Sequence, residues 1–359
     1  MGLFDFLKHR DAAIKKDSIS VSVQEDVLPI EKRIKGKSAV CDGLYPHEVL
    51  VLSYAPKFYE SGNDYQQFWW HKYGIRNVGK ILESLRERGL IQQGTIRDAI
   101  DCQTLPVIKE SLSKHGLSGN GKKAALIERL VDNVSADELK VDFPRIPYTL
   151  TEYGKSLLKK YEWIPFIHSH LIEDLNIWNL TEKVQSSNHN YRDTIWGYLN
   201  ECSLVHAKNH NFGLYRNSRF TMSEFVADEG KTETAFSLLC EVVAYDLSGL
   251  SNNFDINHLY ILYKSYFPYE KSVVKMAPGI TNRIKKYMES FGWSEKVLHQ
   301  RLEEEINKIQ LPFRLFTDKE CADIVLCEMN GNEASLKKIY RVAEKRFMEK
   351  YAQQIKSPY

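Results

Sequence analysis

The sequence predicts a mainly α-helical protein: a short helix–loop–helix module carried inside a small mixed domain, followed by a separate α-helical domain. Three observations predict it. Apolar residues recur at helical spacing through most of the 359 residues. Strand-like pieces are short and few, near 18–23, 90–91 and 148–150. A glycine-rich turn, Gly116 to Gly121, separates two amphipathic stretches.

The composition is that of a globular chain, with 43% hydrophobic and 27% charged residues, and its length suits two or three domains. Lys and Arg exceed Asp and Glu by 49 to 47, so net charge alone points to no class of partner. Residues 1–160 carry 25 basic and 21 acidic residues, a net of +4, and residues 161–359 carry 24 and 26, a net of −2. The six cysteines form no C-x-x-C pair and no zinc-ligand spacing, and are expected to be reduced and buried in a cytosolic protein. No apolar run approaches the roughly 20 residues of a membrane span, and no signal peptide is expected. The opening Gly2-Leu3-Phe4-Asp5-Phe6-Leu7-Lys8 suits a docked helical tail better than a membrane-surface helix.

Residues 1–40 read as an appendage: a helix ending near Lys16, an edge strand at Ser18–Val23, and a basic linker at Glu31–Lys37. From Cys41 a compact unit begins. Pro46 suits the first turn of a helix over 45–52, and Gly74 stops a short aromatic helix containing Trp69 and Trp70, which are read as core. Asn77 caps a third helix with Val78, Ile81, Leu82 and Leu85 on one face, and Gly89 ends it before an extended Leu90-Ile91. Far downstream, Tyr148 to Leu158 reads as a strand entering a helix.

These two pieces together resemble a winged helix. The residues that carry the resemblance are Leu82, Leu85, Gly89, Leu90 and Ile91, then Tyr148, Leu150, Thr151, Gly154, Leu157 and Leu158. About 55 residues stand where that family has a short hairpin. The third helix would then be the groove-facing one, exposing Lys80, Glu83, Ser84, Arg86, Glu87 and Arg88, but its two glutamates argue against a strong DNA reader.

Within that insertion, Thr104 is placed to cap a helix with Pro106 in its first turn, and Leu105, Ile108 and Leu112 line one face. Gly116 is placed to end that helix in a left-handed turn. A second helix begins near Lys122, with Ile127, Leu130, Val131 and Val134 as its apolar stripe. Residues 104–131 hold five basic and two acidic residues, a local net of +3. A helix start presents free N–H groups and partial positive charge, which suits a phosphate. Gly121 lets a backbone approach there. Lys122 and Lys123 add charge, with Lys109, Lys114 and Arg129 on the flanking helices.

This segment, 104–134, resembles the SAP motif (SAF-A/B, Acinus, PIAS) through Gly116, Leu117, Gly121, Lys123, Leu126, Ile127, Arg129 and Leu130 in register, while Ala125 stands where many members are acidic. The resemblance implies DNA as the partner, and related helix–extended–helix folds leave RNA open. Charge and position about the helix start then make Lys109, Lys114, Gly121, Lys122, Lys123 and Arg129 the expected nucleic-acid-binding residues. The wider layout is similar to SAP-containing proteins of Gram-positive bacteria and their phages. The competing readings are a protein-interaction or phage-assembly factor with a structural hairpin, and a metal-dependent nuclease.

From about 162 the chain is expected to form an α-helical domain that contacts a protein partner or a second copy of itself. Helices are expected near 232–247, 256–266, 279–290, 318–329 and 334–352, and Ser294 caps one over 295–308. Thr221-x-x-Glu224 and Thr317-x-x-Glu320 have the form of capping boxes. His168, His170 and Glu173 would make a metal site only on a strand, and their surroundings favour a helix. His206-x-x-x-His210 lacks the glutamate of a zinc hydrolase. Asp255, Glu270 and Lys271 match a nuclease metal site only loosely. There is no phosphate-cradling glycine loop and no G-x-S-x-G elbow, so no catalytic residue, metal or cofactor is assigned and no enzyme is expected.

Overall fold

Caps and glycines delimit the helices of the N-terminal unit, which spans residues 1–161, while residues 162–359 form a second unit. In this computed structural model residues 27–60, 62–250 and 254–355 are described. The helix expected near Lys16 and the strand at 18–23 fall outside them. The chain is mainly helical, with a single two-stranded sheet among the described residues.

The basic segment after Val27 is more than a connector. Ile30–Arg33 forms a one-turn helix, α1, and the Ile30 N–H donates to the Gly74 carbonyl at 3.0 Å while its side chain is buried. A Cβ on Gly74 would lie 2.2 Å from the Leu28 carbonyl oxygen, so this contact requires glycine. Helix α2 (Pro46–Tyr54) starts on Pro46, and Glu48 accepts from the Tyr45 N–H at 2.7 Å. Helix α3 (Phe68–His71) buries Trp69 but leaves Trp70 half-exposed under Arg76, 4.5 Å from its ring.

Helix α4 (Val78–Glu87) is capped by the Asn77 side chain, which accepts from the Lys80 N–H. At its end Gly89 is left-handed and the Leu90 N–H donates back to Leu85. Strand β1 (Ile91–Gln93) follows, and its antiparallel partner β2 (Tyr148–Leu150) lies across the insertion, with Ile91 opposite Leu150 and Gln93 opposite Tyr148. Helix α9 (Glu152–Lys160), capped by Thr151, closes the unit. The Cβ position of Gly154 falls 2.2 Å from the Leu90 carbonyl oxygen, so α9 approaches the start of β1 as closely as backbones allow.

Four helices fill the insertion: α5 (Ile96–Asp101), α6 (Leu105–Lys114), α7 (Lys123–Asn133) and α8 (Ala136–Asp142). They share their own core of Ala99, Ile100, Ile108, Leu112, Leu126 and Leu130, with Leu139 and Phe143 from α8. Leu105, expected on the buried face of α6, is instead exposed at the first turn, where nothing yet packs over it.

The second unit is built around α14 (Thr232–Ser248), apolar on nearly every side and buried accordingly. Its neighbours along the chain are α10 (Trp163–Ser169), α11 (Ile177–Ser186), α12 (Tyr191–Lys208) and α13 (Phe212–Ala227). Then come α15 (Leu259–Tyr266), α16 (Pro278–Phe291), α17 (Glu295–Asn307), α18 (Asp318–Met329), α19 (Glu333–Lys350) and α20 (Ala352–Ile355). Ser294 caps α17 and Thr317 with Glu320 forms a capping box on α18, as their spacing predicts. Thr221-x-x-Glu224 does not: both lie inside α13, and Glu224 pairs with Arg283 instead. A partly buried ladder joins α13 to α14, with Arg216 on Asp246 through two 2.7 Å bonds and Arg219 on Glu241 at 3.3 Å.

No described helix is long and apolar enough to cross a membrane. All six cysteines are free, but only Cys41, Cys240 and Cys321 are buried. Cys102 is exposed, which departs from the expected buried set.

Candidate nucleic-acid interface

The loop between α6 and α7 is set by two glycines. Gly116, at φ +70°, lets its own N–H donate to Ser113 and the Leu117 N–H donate to Leu112, closing the last turn of α6. Leu117 then turns inward against the insertion core. Gly121 takes φ +134°, a backbone state L side chains rarely adopt, and so directs the chain into α7.

Helix α7 starts without a side-chain cap and without an acidic residue in its first turn. The N–H groups of Lys123, Ala124 and Ala125 therefore face outward as orphan donors. Gly121, Lys122, Ala124 and Ala125 are all exposed. A helix start of this kind attracts an anion through both its donors and its dipole. Thr104 sits at the N-cap position of α6 with extended backbone, but its hydroxyl makes no capping hydrogen bond.

The six residues singled out from the sequence divide by what they touch. The side chains of Lys109 and Lys122 are exposed and make no hydrogen bond or ion pair to any described residue, and the stem of Lys109 lies beside Gly119. Lys123 reaches back to α5, donating to the Asp101 carbonyl, with the Asp101 carboxylate 3.4 Å from its Nζ. Arg129 donates to the carbonyls of Ser118 and Asn120 and so holds the loop from behind. Lys114 is paired with Asp142 of α8.

Asp142 was not legible as part of this unit. Its carboxylate is buried and takes three donors: Lys114, Ser111 at 2.7 Å and His115 at 2.9 Å. Burial raises its pKa, but the hydrogen bonds from Lys114, Ser111 and His115 outweigh that and bring it down to about 2. Arg97 of α5 clasps Glu128 of α7 with both terminal guanidinium nitrogens, pairing that acid at the exposed helix surface. On α4, Arg86 pairs with Glu60 and Arg88 donates to the Gly43 carbonyl.

The candidates of the second unit are placed apart. His168 lies in α10 and His170 at its C-cap, stacked on Phe166. Glu173, at the unusual φ of +47°, accepts from Ser218 and lies 3.5 Å from His206, a grouping no local spacing signals. His210 is beyond the end of α12. Asp255 caps a 3₁₀ turn and holds His258 at 2.8 Å, while Glu270 pairs with Lys337. Among the described residues no group of three or more His, Cys, Asp and Glu is placed to hold a metal ion.

With this geometry in view, a SAP domain is found at residues 103–134, which covers α6, the loop and α7 and leaves the remainder of the chain outside it. No curated protein and no solved structure gives a match to the chain.

Proposed function

We propose that this protein binds DNA by gripping backbone phosphate at the start of α7. The observation that carries the reading is the uncapped first turn of α7, exposed behind Gly121 and flanked by the unpaired Lys122. SAP domains are in general DNA-binding modules, which supports the same reading. Lys122 and the N–H groups of Lys123, Ala124 and Ala125 make the phosphate contact. Lys109 adds charge at the side, and Lys123 joins once it leaves Asp101. Arg129 and Lys114 act indirectly, one holding the loop and the other neutralising Asp142.

Contacts of this kind fix position but read no base. Binding by this module alone is therefore weak and salt-dependent, with a dissociation constant on the order of 10⁻⁴–10⁻⁶ M. The order α4, β1, β2, α9 is that of a winged helix whose hairpin has been replaced by the insertion. On that reading α4 adds little to DNA affinity, because Arg86 and Arg88 are already engaged. The helical second unit serves protein contacts or self-association.

The test is fluorescence anisotropy with a duplex at two salt levels. Lys122→Glu/Lys123→Glu weakens binding strongly, and Lys122→Glu alone, which leaves the Lys123–Asp101 contact in place, weakens it with the thermal melt unchanged. Equal affinity of variant and parent overturns the assignment.

A further inference from the structure

Helix α19 buries Leu336, Tyr340, Ala343 and Phe347. At about 100° per residue, positions 338, 341 and 345 fall on the opposite side. Lys338, Arg341 and Lys345 stand there, all exposed. None of the three side chains makes a hydrogen bond or ion pair to a described residue. This sets Arg341 apart, because every other arginine of the second unit has a carboxylate within 3.3 Å. Glu349 lies one turn beyond Lys345 and Glu344 flanks Arg341, yet neither pairs with the three cations. Met348 continues the same face and is also exposed.

A unit that neutralises its other arginines and leaves this row unpaired presents a cationic stripe where nothing in the fold uses it. Seven residues of helix rise about 10 Å. Over that distance one DNA strand offers about three phosphates. We infer that the Lys338–Arg341–Lys345 face of α19 is a second nucleic-acid contact, which lays three cations along a duplex backbone. This rests on the reading that the chain binds DNA. It adds that the second unit takes part, so that two weak grips on one duplex act together through their effective concentration.

The experiment uses the full chain, a 30-base-pair duplex and a salt series from about 0.05 to 0.3 M, with anisotropy as readout. In Lys338→Gln/Arg341→Gln/Lys345→Gln the log–log salt slope becomes shallower by about 2–3, and affinity at 0.1 M salt falls on the order of 10- to 100-fold. Arg341→Gln alone changes the slope by about 0.9. Both variants melt with the parent, since the side chains make no hydrogen bond or ion pair to a described residue. An unchanged slope in the triple variant overturns the inference. So does loss of binding to phosphatidylserine vesicles with DNA binding intact, which assigns the stripe to a membrane.

The Lys122→Glu/Lys123→Glu variant separates this inference from the reading beneath it. Loss of binding there with the α19 variant unaffected sinks the stripe and keeps the SAP assignment. The reverse pattern keeps the stripe and sinks the other. A parent that binds no duplex at 0.05 M salt overturns both.

Discussion

The guanidinium of Arg129, in the middle of α7, donates to the carbonyl oxygen of Asn120 at 3.1 Å, so the helix holds the loop that introduces it. It also donates to Ser118, which leaves the cation turned toward the protein. A residue that shapes the loop and one that touches phosphate are told apart by salt. Arg129→Ala is expected to lower stability by about 1–2 kcal/mol and to weaken DNA binding by loosening residues 118–121. The salt slope stays at the parent value, because no phosphate contact has been removed. A slope shallower by about 0.9 would place Arg129 on the DNA instead.

His47 lies buried on α2 with its Nδ1 unpartnered. Burial, with the nearby Arg33 charge adding to it, lowers its pKa to about 4. A free histidine titrates near 6.5. The unfolded chain therefore binds the extra proton first, and stability is lost as pH falls from about 6.5 to 4, by about 3 kcal/mol. Amide exchange in α2 reports this as lost protection over that interval. His47→Gln removes the slope there, and equal loss of protection in parent and variant counts against the assignment.

Two glycines beside the start of β1 differ in what they tolerate. Gly154 has the Leu90 carbonyl where its Cβ would go, whereas Gly89 has nothing within 4 Å and needs only its positive φ of 70°. Gly154→Ala is expected to cost about 3 kcal/mol or more, because backbone must move. Gly89→Ala costs about 1 kcal/mol for conformation alone. Thermal melts of both variants check the order, and a Gly154→Ala protein that melts with the parent contradicts the packing of α9 on β1.

Asp246 on α14 is largely enclosed, and desolvation raises its pKa even though Arg216 bonds both its oxygens. Removing the cation leaves that carboxylate without its partner. Arg216→Leu is expected to cost about 3–5 kcal/mol. Arg216→Leu/Asp246→Leu recovers most of that, since an apolar pair fits where a lone charge does not. Chemical unfolding of the parent and both variants decides it. A double variant no more stable than Arg216→Leu shows that shape, rather than charge, governs the contact.

The local architecture follows from residue order alone. Gly116 and Gly121 dictate the loop, because each takes a backbone state that side chains resist. Asn77, Ser294 and Thr317 set helix starts through hydrogen bonds within a few residues, and the apolar spacing of 108–130 specifies a hairpin with one buried face. Which charges stay free depends on contacts made across the folded chain. Lys114 meets Asp142 and Lys123 meets Asp101, partners 28 and 22 residues away. The Thr221–Glu224 spacing gave no cap, since the helix had already begun at Phe212 and Glu224 was drawn to Arg283. Caps and turns are satisfied within one turn of chain, whereas the fate of a charge depends on whatever folding brings beside it. That is why the hairpin could be read residue by residue, and why the availability of its cations could not.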